Sequence, residues 1–212
     1  MEQVLDISWW NLALGYLLLM VPVGVFWYFR TGLIRDTLWA ALRMTVQLLA
    51  VGVYLEYLFR WNSAWINMGW MLLMVVVAAF ATIRRSGLNR RLFFIPVSVA
   101  VLTGLVLVDL WFLGVVIRLD YFFESQYFIP ISGMILGNCL RTNVIGLNSY
   151  FRGLKKEQVT YRFYLAHGAS RQEAVAPFIR TALIEAFNPS IATMAVMGLI
   201  SLPGMMTGQI LG

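Results

Sequence analysis

Apolar residues run along this chain in six blocks, each close to the ~20 residues that cross a bilayer as a helix. They cover Ile7–Tyr28, Leu38–Phe59, Ala64–Ile83, Leu92–Ile117, Tyr127–Tyr150 and Phe178–Leu202, with short polar interruptions between them. Trp9, Trp10, Trp27 and Tyr28 bracket the first block as interfacial belts. Pro22 is expected to kink it, because proline removes a backbone donor. By the same reasoning Asn188-Pro189 and Pro203-Gly204 are expected to break the sixth. The pattern predicts an all-α polytopic membrane protein of about six transmembrane helices.

One interruption is longer than a turn requires. From Arg152 to Pro177 the spacing predicts a helix over Lys155–His167, with Val159, Phe163 and Ala166 on one face. Gly168 fits the left-handed position that ends a helix. Ser170 with Glu173 three residues on forms a capping box that starts another, which Pro177 is expected to bend. A linker needs neither a stop nor a start signal, so this segment reads as a docking element.

Composition agrees with a lipid environment. The 212 residues are 60% hydrophobic and 12% charged, beyond the usual share of a soluble domain. No hydrophilic stretch is long enough for a separate soluble domain, so residues 1–212 read as a single transmembrane domain with 152–177 as a cytoplasmic coupling segment. The net charge of +6 does not indicate a nucleic-acid partner, because the basic residues sit in short loops. Interruptions one, three and five hold eleven of them: Arg30, Arg35, Arg84, Arg85, Arg90, Arg91, Arg152, Lys155, Lys156, Arg162 and Arg171. Interruptions two and four hold Arg60 and Arg118. That alternation places the N-terminus outside and the docking element in the cytoplasm.

The chemistry on offer is narrow. One cysteine, Cys139, and one histidine, His167, exclude a disulfide framework, a thiolate metal cage and His-rich zinc or di-iron sites. There is no phosphate-binding loop and no nucleophile–base pair, so the chain is not expected to be an enzyme. The first block has Glu2 and Asp6 before it and no basic n-region, so it is expected to be retained. The last residues, Ile210 and Leu211, are apolar again and suggest a further, seventh helix beyond Gly212.

Three motifs in order bring a resemblance. Gly168-Ala169 followed by a proline-containing helix resembles the cytoplasmic loop by which ABC transporter permeases seat on their ATPase. The usual Glu-Ala-Ala triplet upstream would fall on Arg162, Phe163 and Tyr164. With Ile129-Pro130-Ile131-Ser132-Gly133-Met134-Ile135-Leu136-Gly137-Asn138 before it and Gly198–Gly208 after it, the chain looks like the FetB family of ABC permeases. Arg43 with Gln47 in the second block agrees. The resemblance implies a bacterial inner-membrane subunit that exports metal ions, iron first, as a homodimer powered by a separate cytoplasmic ABC ATPase. Mg-ATP would then be held on that partner, with no cofactor on this chain. The residues implied in coupling are Arg162, Leu165, Gly168, Ala169, Ser170 and Arg171. The family's last span has no counterpart here.

For the cargo pathway the candidates are Asn138, Glu185, Met205, Met206 and Glu56. Met205 and Met206 offer soft thioether sulfurs to a metal; the plainer reading is that methionine is ordinary in apolar helices. Asn138, Arg141 and Asn148 fall on one helical face, and polar groups at membrane depth face the bundle or water. Glu56 and Asp109 lie toward the outer side, as an exit site or as snorkelling side chains. Glu185 lies deeper, with Arg141 or Arg180 as alternative structural partners. Gly133 with Gly137, and Gly204 with Gly208, have the spacing that lets helices approach closely. A permease for a non-metal substrate and a membrane scaffold without transport activity remain as alternatives.

Overall fold

The computed structural model describes residues 9–119 and 121–210; the side chains at 9, 11–13, 52, 53, 56 and 198–210 lie outside the described set. The described residues form helices and their connections, with no strand among them. In order they are α1 (Trp9–Leu17), α2 (Met20–Tyr28), α3 (Ile34–Trp61), α4 (Ala64–Arg85), α5 (Arg90–Asp109), α6 (Ser125–Lys156), α7 (Gln158–Ala166) and α8 (Arg171–Ile210). A π-helical run, Leu110–Ile117, continues α5. Three segments are long and apolar enough to cross a membrane among the described residues: Ala64–Arg85, Arg90–Ile117 and Ser125–Lys156. These are the third, fourth and fifth blocks of the sequence pattern. The second and sixth blocks lie on α3 and α8, of 28 and 40 residues.

The chain divides into two compact units. The first comprises residues 1–57 and 203–212. Within it the first apolar block is interrupted at Leu18-Leu19, between α1 and α2, just before Pro22. Proline at the third position of α2 has no N–H to continue the ladder from α1, so the helix restarts there. Tyr16 and Thr45 share a hydroxyl hydrogen bond of 2.5 Å that ties α1 to α3. Thr45 also donates back to the Ala41 carbonyl at 2.9 Å.

The second unit, Leu58–Leu202, holds the core. Helix α4 buries Asn67, Met71, Val75, Ala78, Ala79, Thr82 and Ile83, a three–four spacing that keeps one face of the helix inward. Helices α5 and α6 pack against it, and Val101, Leu105 and Leu113 on α5 and its extension, with Phe128, Ile129 and Leu136 on α6, are buried as well. Leu72, Leu73, Val76, Val77 and Phe80 on the other faces of α4 are exposed. In lipid an apolar outer face carries no penalty, so close packing selects the inner face, and Ala78-Ala79 admit a neighbouring backbone. Phe122, Phe123 and Phe128 form a triangle of rings with centroids 5.0, 5.5 and 6.0 Å apart, anchoring the loop before α6.

Two expectations about helix breaks fail. Helix α8 runs through Asn188-Pro189 and Pro203-Gly204 without interruption, and Pro177, expected only to bend it, lies within the same helix. One proline deletes a single ladder bond, while breaking the helix in apolar surroundings strands several backbone groups. Thr181 donates its hydroxyl to the Pro177 carbonyl at 3.1 Å and Thr193 to the Pro189 carbonyl at 2.8 Å, adding local bonds one turn beyond each proline. The predicted Lys155–His167 helix is also displaced. Helix α6 continues to Lys156, a turn at Glu157 follows, and α7 begins at Gln158.

Candidate functional site

The 152–177 elbow is built as its local signals require. Gly168 has φ +87°, a conformation that a residue with Cβ adopts only with strain. Ala169 N–H reaches the Tyr164 carbonyl at 3.1 Å and Gly168 N–H reaches that of Leu165 at 3.2 Å. This pair of bonds is the glycine-dependent C-terminal cap. The next helix starts at once: Glu173 N–H donates to Ser170 Oγ at 3.3 Å, while Ser170 N–H and Oγ–H both donate to Glu173 Oε2 at 2.8 Å. Those bonds stabilise the ionised carboxylate and hold the Glu173 carboxyl below its usual range. The capping box is reciprocal, as the sequence suggested.

What this elbow presents is apolar and uncovered. Val159 is 83% exposed and Phe163 57%, and they lie one turn apart on α7, which buries none of its residues. Phe163 stacks on His167 with ring centroids 4.0 Å apart, and His167 Nδ1 lies 2.8 Å from the Phe163 carbonyl. Arg162, Leu165, Gly168, Ser170 and Arg171 are exposed and Ala169 is half-buried. All six sequence-derived coupling residues therefore fall within one short, accessible turn and the helix ends beside it.

The intramembrane candidates do not converge in the same way. On α6, Tyr127, Pro130, Met134, Asn138 and Arg141 form an exposed stripe, while Ser125, Phe128, Ile129, Ser132 and Leu136 are buried on the opposite face. Asn138 and Arg141 do share a face, and it looks away from the core. Glu185 is exposed on α8; among the described residues neither Arg141 nor Arg180 forms an ion pair with it. The side chains of Glu56, Met205 and Met206 lie outside the described residues, and Pro203-Gly204 supplies no broken backbone beside the two methionines. No group of three or more His, Cys, Asp or Glu side chains able to hold a metal occurs among the described residues.

Two features escaped the sequence reading. The close helix approach is at Gly146 and Gly153, not at Gly133 and Gly137. A Cβ on Gly146 would meet Ala186 Cβ at 3.3 Å, and one on Gly153 would meet a Phe178 ring carbon at 3.4 Å. Gly133 has only Met74 Sδ at 4.0 Å, and nothing lies within 4 Å of a Cβ on Gly137. On α8 the buried residues Ala174, Phe178, Ala182 and Ala186 repeat every four positions, a ridge whose Phe178, Ala182 and Ala186 meet α6 at Gly153 and Gly146. The second feature is the burial and partner of Asp109, which the sequence offered as an exit site or a snorkelling side chain. It does not snorkel: it is 2% exposed, and Ser132 Oγ donates to its Oδ2 at 2.7 Å. A Ser or Thr opposite a carboxylate, each seven to eight residues from the adjoining ends of two consecutive spans (Ile117 and Ser125), is the signal that would have found it.

The profile of the family described as "Uncharacterised protein family (UPF0014)" matches residues 9–212. The chain belongs to the UPF0014 family. Among its UPF0014 relatives, the membrane protein YjkA of Bacillus subtilis is 29% identical over 204 residues, covering 95% of this chain and 79% of that protein. The membrane protein slr1647 of Synechocystis is 27% identical over 216 residues, covering 99% and 81%. A protein of Escherichia coli named probable iron export permease protein FetB is 30% identical over 203 residues, covering 94% and 76%. No solved structure matches the chain. This UPF0014 chain is thus an all-helical membrane protein, and the resemblance to the FetB family drawn from its motifs is correct.

Proposed function

We propose that this chain is the membrane subunit of an ABC transporter that exports metal ions, with iron as the first candidate. The observation that carries the reading is the likeness, over 94% of the chain, to a relative named probable iron export permease. In this reading two copies of the chain assemble in a bacterial inner membrane with two copies of a cytoplasmic ATPase, which holds the Mg-ATP. The N-terminus faces outward. The 152–177 elbow seats in the ATPase through Arg162, Leu165, Gly168, Ala169, Ser170 and Arg171. Support comes from the rigid double cap around an exposed apolar turn, which suits a part that must transmit a push without deforming. The cargo passes along Asn138 and Glu185, with Met205, Met206 and Glu56 as further candidates. Charged and polar groups exposed at membrane depth need water or a partner subunit around them.

The test is co-expression with the cognate ATPase, purification as one complex and measurement of ATP hydrolysis. The expected result is a stable complex whose hydrolysis rises with iron(II). Failure to co-purify removes the ABC assignment. A stable complex that ignores every metal, yet responds to another solute, favours the second reading. That reading has a specific observation behind it. Arg141 places a permanent positive charge at mid-length on the exposed face of α6, which suits a cargo bearing anionic groups better than a bare cation.

A further inference from the structure

Asp109 is the one buried carboxylate among the described residues, and the pathway just described does not use it. It closes α5 inside the membrane-length segment Arg90–Ile117, where the ladder changes to the π-helical run. Such runs are frequent at functional sites. Its Oδ2 faces the Ser132 hydroxyl at 2.7 Å, and its Oδ1 is enclosed with no hydrogen-bond partner among the described residues. Ser132 is itself 0% exposed.

No countercharge is at hand among the described residues. The only charges on α4 are Arg84 and Arg85 at its opposite end. On α6, Tyr127 and Arg141 lie on the exposed face, and Cys139 is two turns beyond Ser132. Arg90 and Arg91 are at the far end of α5, Arg118 is exposed, and Tyr121 and Glu124 sit in the loop before α6. A bare carboxylate enclosed like this, with one hydroxyl partner and no cation beside it among the described residues, is costly to keep ionised. A hard divalent cation seeks about six oxygen ligands, whereas this site offers one carboxyl and one hydroxyl. A proton needs only one oxygen.

We propose that Asp109 and Ser132 form an intramembrane proton-binding site in the core of the second unit, independent of the cargo pathway. The proton sits on Oδ2 and is donated to Ser132 Oγ, which leaves Oδ1 as a neutral carbonyl oxygen. The 2.7 Å contact serves equally when the proton has left and the serine hydroxyl donates instead. Binding forms one O–H bond from a carboxylate and a proton and needs no other reactant. Separation of α5 from α6 would admit water and release the proton, so outward opening of this seam is linked to acidity on that side.

Infrared spectroscopy of the purified, full-length chain in lipid tests this directly. The expected spectrum contains a protonated-carboxyl C=O band that disappears in Asp109→Asn, since asparagine can donate to Ser132 Oγ in the same place. Ser132→Ala removes the hydrogen-bond partner and should shift that band, which keeps the test usable if Asp109→Asn does not fold. Equilibrium dialysis with manganese(II) and iron(II) supplies the counter-test. A wild-type spectrum without a band sensitive to either substitution overturns the proposal. So does stoichiometric metal binding that Asp109→Asn abolishes.

Discussion

Two glycine elbows turn the chain beside its most basic stretches, and they share one backbone design. At the first, Gly87 has φ +65°, Leu88 N–H reaches the Ile83 carbonyl at 3.2 Å, and Gly87 N–H reaches that of Arg84 at 3.4 Å. At the second, Gly168 and Ala169 repeat those bonds onto Leu165 and Tyr164. Each is followed by a side-chain cap: Asn89 accepts from Arg91 N–H at 3.1 Å, and Ser170 accepts from Glu173. The surroundings differ. Ile83 and Ser86 before Gly87 are buried, and Arg90 packs over the Phe80 ring at 4.8 Å. Around Gly168 the helix α7 buries nothing. One motif thus closes a helical hairpin inside the core, and the same motif holds an apolar turn out in the open. The bond pattern alone does not tell a structural elbow from a presented one; the burial of its flanks does.

Valine at each glycine separates the two uses most strongly. Neither position has an atom within 4 Å of an added Cβ, so both substitutions carry the same backbone strain, roughly 1–2 kcal/mol. Gly87→Val is expected to lower the melting temperature of the purified protein. Gly168→Val should leave melting and membrane insertion nearly intact and abolish capture of the ATPase. Equal losses of melting temperature in the two variants would erase the distinction.

The caps supply a smaller contrast. Asn89→Ala is expected to destabilise the protein by about 1 kcal/mol, with no dependence on pH. Glu173 titrates, and its folded value lies below the ordinary one. The support it gives is complete above the ordinary carboxylate range and is lost as pH falls through the lowered folded value. Hydrogen exchange, corrected for intrinsic rates, should therefore quicken in acid at residues 171–174 but not at 90–93. Parallel behaviour of the two segments would show that the Glu173 cap is idle. Smallest of all for stability is Phe163→Ser: at an exposed site it should change folding free energy by no more than about 0.5 kcal/mol. ATPase binding should nonetheless weaken, as a pull-down with graded salt would register.

Local signals explain why the second elbow was legible in the sequence. A glycine stop and a Ser-x-x-Glu start use partners within six residues, so the pattern carries the geometry. The membrane-length blocks were legible for a similar reason, since apolar length alone nominates them. Pairings between distant helices were not. Asp109 with Ser132, and Gly146 with Ala186, depend on which faces meet, and a helix apolar all round does not announce its inner face. The prolines of α8 misled because the sequence shows the deleted donor but not the cost of the alternative, an open backbone in lipid. The start of α7 was placed three residues early because Lys155 and Lys156 suit the end of one helix as well as the beginning of another.

The four-residue ridge of α8 has a mechanical consequence. Gly146 now faces Ala186 and Gly153 faces Phe178. Sliding α8 by one turn, about 5.4 Å, would bring Ala182 opposite Gly146 and Ala174 opposite Gly153, small residue against glycine in both places. The opposite slide would bring Ser190 and Ala182 to the same two positions. The seam is therefore a rack with evenly spaced teeth, on which the helix can rest in more than one notch without rebuilding its neighbour. A cysteine pair at 146 and 182 that bridges during ATP turnover, where 146 and 186 bridge at rest, would catch it one notch along.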